Sequence, residues 1–319
     1  MDIIRLLKRK GLSIRRATHV GQALPNDAIE SFYRFFHLII SERRDLNIDD
    51  GEEYRIINCD ETPIYFEMPD TTTIDIMGNK EVIIDTKGNE KKRISVLLTI
   101  VDDGSKLPAV LIFKGKNGKF IEKEINGNIH VLRKEIFALV QENSRCDSQI
   151  FSSWHENIPL NYEKKINKKC LLILDKALSH IDNDILEKFR LYKTHYVYIP
   201  GGLTRYLQPL DIGINKVFKS VVKNEYSKIE LFQKENIKDL LKSKIIDMKQ
   251  RSEQIINLIY KVWEDNNNIK KDIITNSFFR SSITFSMSGI DDGKFNFPEK
   301  IDEVYSIYDN YEFCLNELP

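Results

Sequence analysis

Three aspartates stand where short apolar runs give way to polar turns or to a helix start: Asp60 in "RIINCDET" (55–62), Asp175 in "LLILDKALSH" (171–180) and Asp211 in "LQPLDIGINKVFKS" (207–220). A carboxylate at the edge of a core is costly unless hydrogen bonds or a cation compensate it. Each aspartate therefore has a plain reading beside the chemical one. Asp60 and Asp175 can be tied up by hydrogen bonds, and Asp211, two positions after Pro209, can simply cap a helix. If the two apolar runs are neighbouring strands, however, Asp60 and Asp175 share one sheet edge and Asp211 can join them. Like charges held close raise one another's pKa, and a divalent cation reverses that penalty. Mg2+ favours hard oxygen ligands and keeps several waters, which suits carboxylates at strand ends. Two such ions, about 3.5–4 Å apart, can clamp the attacking and leaving oxygens of a phosphodiester.

Other side chains near these positions carry two readings each. Glu61 follows Asp60 and, in a continuing strand, points to the opposite face, in a structural or supporting role. Lys176 puts a positive charge beside Asp175, where it can contact phosphate or weaken cation binding. His180 can orient a substrate phosphate or cap the next helix. Tyr206 and Gln208, just before Asp211, can touch nucleic acid or pack under their loop. Asp102 and Asp103 in "VDDGS" resemble a metal pair but read more simply as a hairpin turn with Gly104. Trp154 and Trp263 read as core residues.

The elements that must position these groups follow from hydrophobic period. "LPNDAIESFYRFFHLIISERR" reads as an amphipathic helix with Ile29, Phe32, Phe35, Phe36 and Ile39 on its apolar face, after which "LNIDDGEEY" breaks the pattern. From Tyr54 the period shortens. The segments 54–60, 81–85, 93–103, 108–113 and 128–132 are β-rich runs between turns and predict a meander of antiparallel strands. "SQIFSSWHENIPL" then predicts a helix with Trp154 inward. A strand at 170–175, a helix from Asp182 to Tyr192 and a strand at 195–200 alternate in the way that implies parallel pairing. "LDIGINKVFKSVVKNEYSKIELF" reads as one amphipathic helix, followed by helices around "IINLIYKVWEDN" and "KDIITNSFFRSSI". The plan is an α/β mixed sheet flanked by helices, the order found in the ribonuclease-H-like fold. It divides into a helical N-terminal segment (1–50), a ribonuclease-H-like domain (51–230) and a helical C-terminal extension (231–319).

Composition agrees with a folded chain. The 319 residues include 41% hydrophobic and 30% charged side chains, ordinary for a globular protein. Net charge is zero, from 48 basic and 48 acidic residues, so no global field draws nucleic acid; basic clusters at 164–169 and 87–93 and in the first twenty residues are local surfaces or phosphate contacts. No run approaches the roughly 18 apolar residues of a membrane span, and no membrane partner is expected. The N-terminus lacks a secretory pattern. Cys59, Cys146, Cys170 and Cys314 form no CxxC pair, which argues for reduced thiols and against a zinc site.

"NCDETPIYFEMP", "LLILDKALSH" and "YIPGGLTRYLQPLDIGINKVFK" together resemble the three signature blocks of DDE superfamily endonucleases of the pogo/Tigger type, transposases of the Tc1/mariner group related to centromere protein B. The blocks occur in the family's order, with residues 176–210 between the second and third aspartates. "IYKVWEDNNNIKKDIITNSFFRSSI" resembles a later family segment, and "LSIRRATHVGQALPND" the end of its helix-turn-helix region. By that resemblance Asp60, Asp175 and Asp211 are the catalytic, metal-binding triad, the cofactor is Mg2+ or Mn2+, and the partner is DNA, cut and joined in the nucleus, with a homodimer expected by family analogy. Lys176 and Leu178 depart from the family's usual Asn and Pro, and "PGGLT" replaces its usual Pro-rich loop. The chain begins inside the expected DNA-binding region, which makes sequence-specific recognition of transposon ends doubtful. The alternatives are a domesticated, catalytically silent DNA-binding or chromatin protein on the same fold, and a nuclease of another specificity, such as one acting on RNA–DNA hybrids.

Overall fold

The computed structural model describes residues 27–48, 55–68, 92–115, 136–177, 182–236 and 248–284. The strands expected at 81–85 and 128–132, the helix-turn-helix remnant before residue 27 and the tail after 284 lie outside these residues.

A six-stranded mixed sheet organises the chain, in the order β4-β3-β2-β1-β5-β6. Strand β1 (Ile56–Tyr65) pairs antiparallel with β2 (Arg93–Val101), which pairs antiparallel with β3 (Lys106–Lys114). On its other side β1 pairs in parallel with β5 (Leu171–Leu174), and β5 in parallel with β6 (His195–Tyr198). This is the ribonuclease-H-like plan of a mixed sheet between helices. It departs from the expected meander at the edge, where β4 (Ile136–Gln141) runs parallel to β3. "IFALVQ" is short and alternates weakly, so its pairing had no local signature; a partner strand is what makes it a strand.

Both sheet faces are covered, which is why β2 is buried at every position after Arg93 rather than at alternate ones. One face, carrying Ile56, Val96, Leu98, Leu171 and Ile173, packs under α1 (Ala28–Asp45) and under the helices that follow β6: α6 (Asn215–Asn236), α7 (Met248–Glu264) and α8 (Lys271–Arg280). The other, with Ile57, Cys59, Leu97, Val101, Leu172 and Leu174, packs against α2 (Ser148–Asn157) and α4 (Asn183–Tyr192) through Phe151, Trp154, Ile185 and Phe189. Trp154 and Trp263 are both core residues, and each indole N–H finds an acceptor, Thr99 Oγ1 and the Leu107 carbonyl respectively.

Local chemistry sets the helix limits. Asp147 and Asp182 cap α2 and α4 by accepting from the Ile150 and Asp184 backbone N–H groups. Pro159 cannot continue α2 and opens a separate helix, α3 (Pro159–Ile166), where one longer helix was expected. Helix α1 buries Ala28, Phe32, Phe35, Phe36 and Ile39, but Ile29 is 40% exposed. Once Ala28 and Phe32 define the inward stripe, residue 29 lies about 100° around the helix and faces out.

Candidate metal-binding active site

Asp60 sits inside β1, which runs five residues past it to Tyr65, instead of ending the strand as the sequence suggested. The strand continues because β2 keeps pairing with it; Asp60 lies opposite Leu98. On the other side β5 stops. The parallel ladder ends at the Asn58–Ile173 pair, β5 ends at Leu174, and Asp175 is the next residue. Asp60 therefore flanks the notch where β5 has ended and Asp175 leaves it. Strand alternation turns Ile56, Asn58 and Asp60 to the face covered by α6–α8.

Asp211 comes to the side of Asp60 from the segment after β6. After β6 the chain makes one helical turn, α5 (Thr204–Leu207), and enters a π-helical turn (Leu210–Ile214) that leads into α6. The Asn215 N–H bonds the Leu210 carbonyl, five residues back, and this wide turn splits the long helix expected from residue 210 onward. Single π-turns recur at functional sites because they re-aim side chains. Here the turn carries Asp211 on its first coil and Asn215 immediately after it.

Asn215 joins two of the acids. Its Nδ2 donates to Asp60 Oδ2 at 2.6 Å and to Asp211 Oδ1 at 2.9 Å. Burial pushes the Asp60 carboxyl well above the usual carboxylate range; the charge of Asp211 and, less strongly, that of Asp175 add to the rise, while the Asn215 hydrogen bond opposes it. Asp175 also raises the buried Cys59 thiol, after burial itself. The three acids thus share one electrostatic neighbourhood, with Asp60 and Asp211 in closest association. Among the described residues, no three His, Cys, Asp or Glu groups are gathered into a ready cation cage. Sequence reading missed Asn215. Its signal was the i, i+4 spacing from Asp211 at a helix start, which puts the two on one side of the helix.

A pair of further amides ties the three acid-bearing elements together. Asn58 is fully buried and its Nδ2 donates to the Ile173 carbonyl of β5 at 2.9 Å and to Gln208 Oε1 at 2.8 Å. Asn58 Oδ1 accepts from the Leu210 N–H at 3.3 Å, and Gln208 Nε2 donates to the Cys59 carbonyl at 3.1 Å. The Gln208 backbone carbonyl accepts from the N–H groups of both Asp211 and Ile212. Two side chains thereby lock β1, β5 and the π-turn in one register. Gln208 is 0% exposed, so its role is internal.

The remaining candidates occupy different places. Glu61 points to the opposite face from Asp60, and its Oε2 accepts from the Cys146 N–H at 2.9 Å. Lys176 is exposed beside Asp175. His180 lies outside the described residues. Tyr206 is partly buried against the core under the ring-facing guanidinium of Arg205. Asp102 and Asp103 form the turn: Asp102 Oδ1 accepts from the Ile56 N–H, and Asp103 binds the Ser105 N–H and hydroxyl.

Residues 91–278 match the model of the DDE superfamily endonuclease family. The chain belongs to the DDE superfamily endonucleases. Asp175 and Asp211 lie within the matched segment and Asp60 precedes it. Among curated proteins, the chain resembles the Homo sapiens "Pogo transposable element with KRAB domain", 30% identical over 227 residues, covering 70% of this chain and 35% of that protein. It also resembles the Homo sapiens "Pogo transposable element with ZNF domain", 22% identical over 223 residues, covering 70% of this chain and 15% of that one. The chain thus spans about a third or less of these relatives. Among solved structures, it is similar to the Mos1 strand transfer complex, with TM-score 0.49 and 12% identity over 89% of this chain and 70% of that one. A second is the Mos1 mariner paired end complex with Mn, with TM-score 0.47 and 13% identity over 83% and 68%.

Proposed function

We propose that the chain is a metal-dependent DNA endonuclease of the transposase kind, which cleaves DNA phosphodiesters and transfers strands using Asp60, Asp175 and Asp211. One observation carries the reading: Asp60 and Asp211, far apart in sequence, converge on a single amide nitrogen beside the strand end that delivers Asp175. Membership of the DDE superfamily supports the same chemistry, and the relatives' names associate them with a transposable element.

The donor set fits a hard divalent cation, since it offers carboxylate oxygens at a strand interior, a strand end and a helix start. Asp60, Asp175 and Asp211 would hold Mg2+ or Mn2+. When bound, the cations would acidify the attacking water or 3′-hydroxyl and stabilise the leaving oxygen. The protein's own part is to hold these acids in register through Asn58 and Gln208. Exposed Lys176, next to Asp175, contacts the backbone phosphate of the DNA. DNA is the partner, met as a homodimer in the nucleus.

The test is nicking of supercoiled plasmid in Mg2+ or Mn2+. The unaltered chain converts plasmid to the open-circular form and Asp175→Asn does not. Equal nicking by both would overturn the assignment, and metal-insensitive DNA binding without cleavage would favour a silent binding protein.

A further inference from the structure

Two of the three carboxylates, Asp60 and Asp211, are bridged by one group, and that group is an amide. Asn215 is 6% exposed, and its Oδ1 is buried with no hydrogen-bond partner among the described residues. A buried amide oxygen without a donor is costly, and a fold tolerates it where the atom has another use. A half-turn about the Cβ–Cγ bond exchanges Oδ1 with Nδ2 while leaving the side-chain outline unchanged. After that exchange the amide oxygen occupies the present Nδ2 position, 2.6 Å from Asp60 Oδ2 and 2.9 Å from Asp211 Oδ1. Octahedral Mg2+ with oxygens at about 2.0–2.1 Å needs neighbouring ligand oxygens about 2.9 Å apart. The Asn215 position therefore already matches one edge of such a shell on both carboxylates.

We propose that Asn215 is itself a cation ligand, its turned amide supplying Oδ1 as a third protein oxygen beside Asp60 and Asp211. The π-turn makes this available by bringing residue 215 in beneath Asp211. In the cation-free state the same side chain, in its present rotamer, holds the two carboxylates together by donating to both. One residue thus keeps the acids paired when no ion is bound and completes the shell when one is. This inference rests on the proposed metal-dependent function.

The two roles of Asn215 predict opposite responses to truncation, which makes them separable. The experiment is calorimetric titration of the full chain with Mn2+ alone, without DNA, for the unaltered protein, Asn215→Ala, Asn215→Asp and Asp60→Asn. For a ligand, Asn215→Ala weakens Mn2+ binding by at least about tenfold, and Asn215→Asp, which keeps an oxygen donor and lacks the N–H, binds at least as tightly as the unaltered chain. For a donor that only competes with the ion for the carboxylates, Asn215→Ala binds Mn2+ as tightly or more tightly, which overturns the proposal. Asn215→Asp is nearly isosteric and keeps the proposal falsifiable if the alanine variant fails to fold: Mn2+ binding weaker than that of the unaltered chain overturns the proposal on that variant alone. If the unaltered chain does not bind Mn2+, the metal-dependent function falls and the ligand role falls with it. If the unaltered chain binds, Asp60→Asn does not and Asn215→Ala does, the function stands and only the ligand role is lost.

Discussion

The Asn58–Gln208 clip makes a quantitative claim about how the candidate site is assembled. Gln208→Leu keeps roughly the same volume in a fully buried position but removes both amide hydrogen bonds of Gln208. Asn58 keeps its bonds to the Ile173 carbonyl and the Leu210 N–H, yet one of its Nδ2 protons is stranded in the core. One stranded buried donor costs about 1–3 kcal/mol and one further lost bond about 0.5–1.5 kcal/mol, so Gln208→Leu should destabilise the protein by about 1.5–4.5 kcal/mol. Equilibrium urea unfolding measures this, with an unchanged m-value showing that the unfolded state is unaltered. A double-mutant cycle with Asn58→Leu then isolates the pair. Because each single change strands the partner and the double change strands less, the double variant should be less destabilised than the sum of the singles by about 0.5–3 kcal/mol. A cost below about 0.5 kcal/mol for Gln208→Leu, or strictly additive singles, would refute the clip as a load shared by three elements.

Further predictions concern the frame around the site. Burial pushes the Asp102 carboxyl up to about 7, with Asp103 adding to the rise and the Ile56 N–H and Arg43 opposing it. The native state thus keeps a proton that the unfolded chain releases near pH 4, and this contribution to stability is full below about pH 4 and lost as pH rises to about 7. Asp102→Asn still accepts from the Ile56 N–H, cannot ionise, and should gain roughly 2–4 kcal/mol over the unaltered chain at pH 8; urea midpoints at pH 5 and 8 check it. His155 responds in the opposite direction. Burial lowers it to about 4, so its contribution is full above about pH 6.5 and fades as pH falls toward 4, and His155→Gln, which can still bond Thr194 Oγ1, should flatten the acid limb of a Tm-against-pH curve. Gly104 has φ +86°, and an added Cβ would meet Lys271 Cγ at 2.1 Å and the Lys271 carbonyl at 2.9 Å. Gly104→Ala should therefore cost about 1–3 kcal/mol, read by chemical denaturation, because the turn between β2 and β3 must move away from α8.

The sequence by itself determined the periodic elements and the residue types at the site. Apolar runs between turns announced β1, β2 and β5 as strands, and a helix start was legible at Asp182. The succession of elements predicted parallel pairing of β5 and β6. The aspartates drew notice because a carboxylate beside a core needs a reason, which is a matter of residue type and neighbours alone. What the tertiary structure decided was every relation across chain distance. Asp60 lies within its strand because β2 goes on pairing after β5 has stopped, and no local pattern records where a neighbour ends. The parallel β3–β4 edge and the inward turn of Gln208 depend on partners from elsewhere in the chain. The convergence of Asp60 and Asp211 on Asn215 needed both the sheet order and a π-turn, a one-residue widening that hydrophobic spacing does not encode. Composition and period report what a segment prefers to bury; only packing reports which buried polar groups meet.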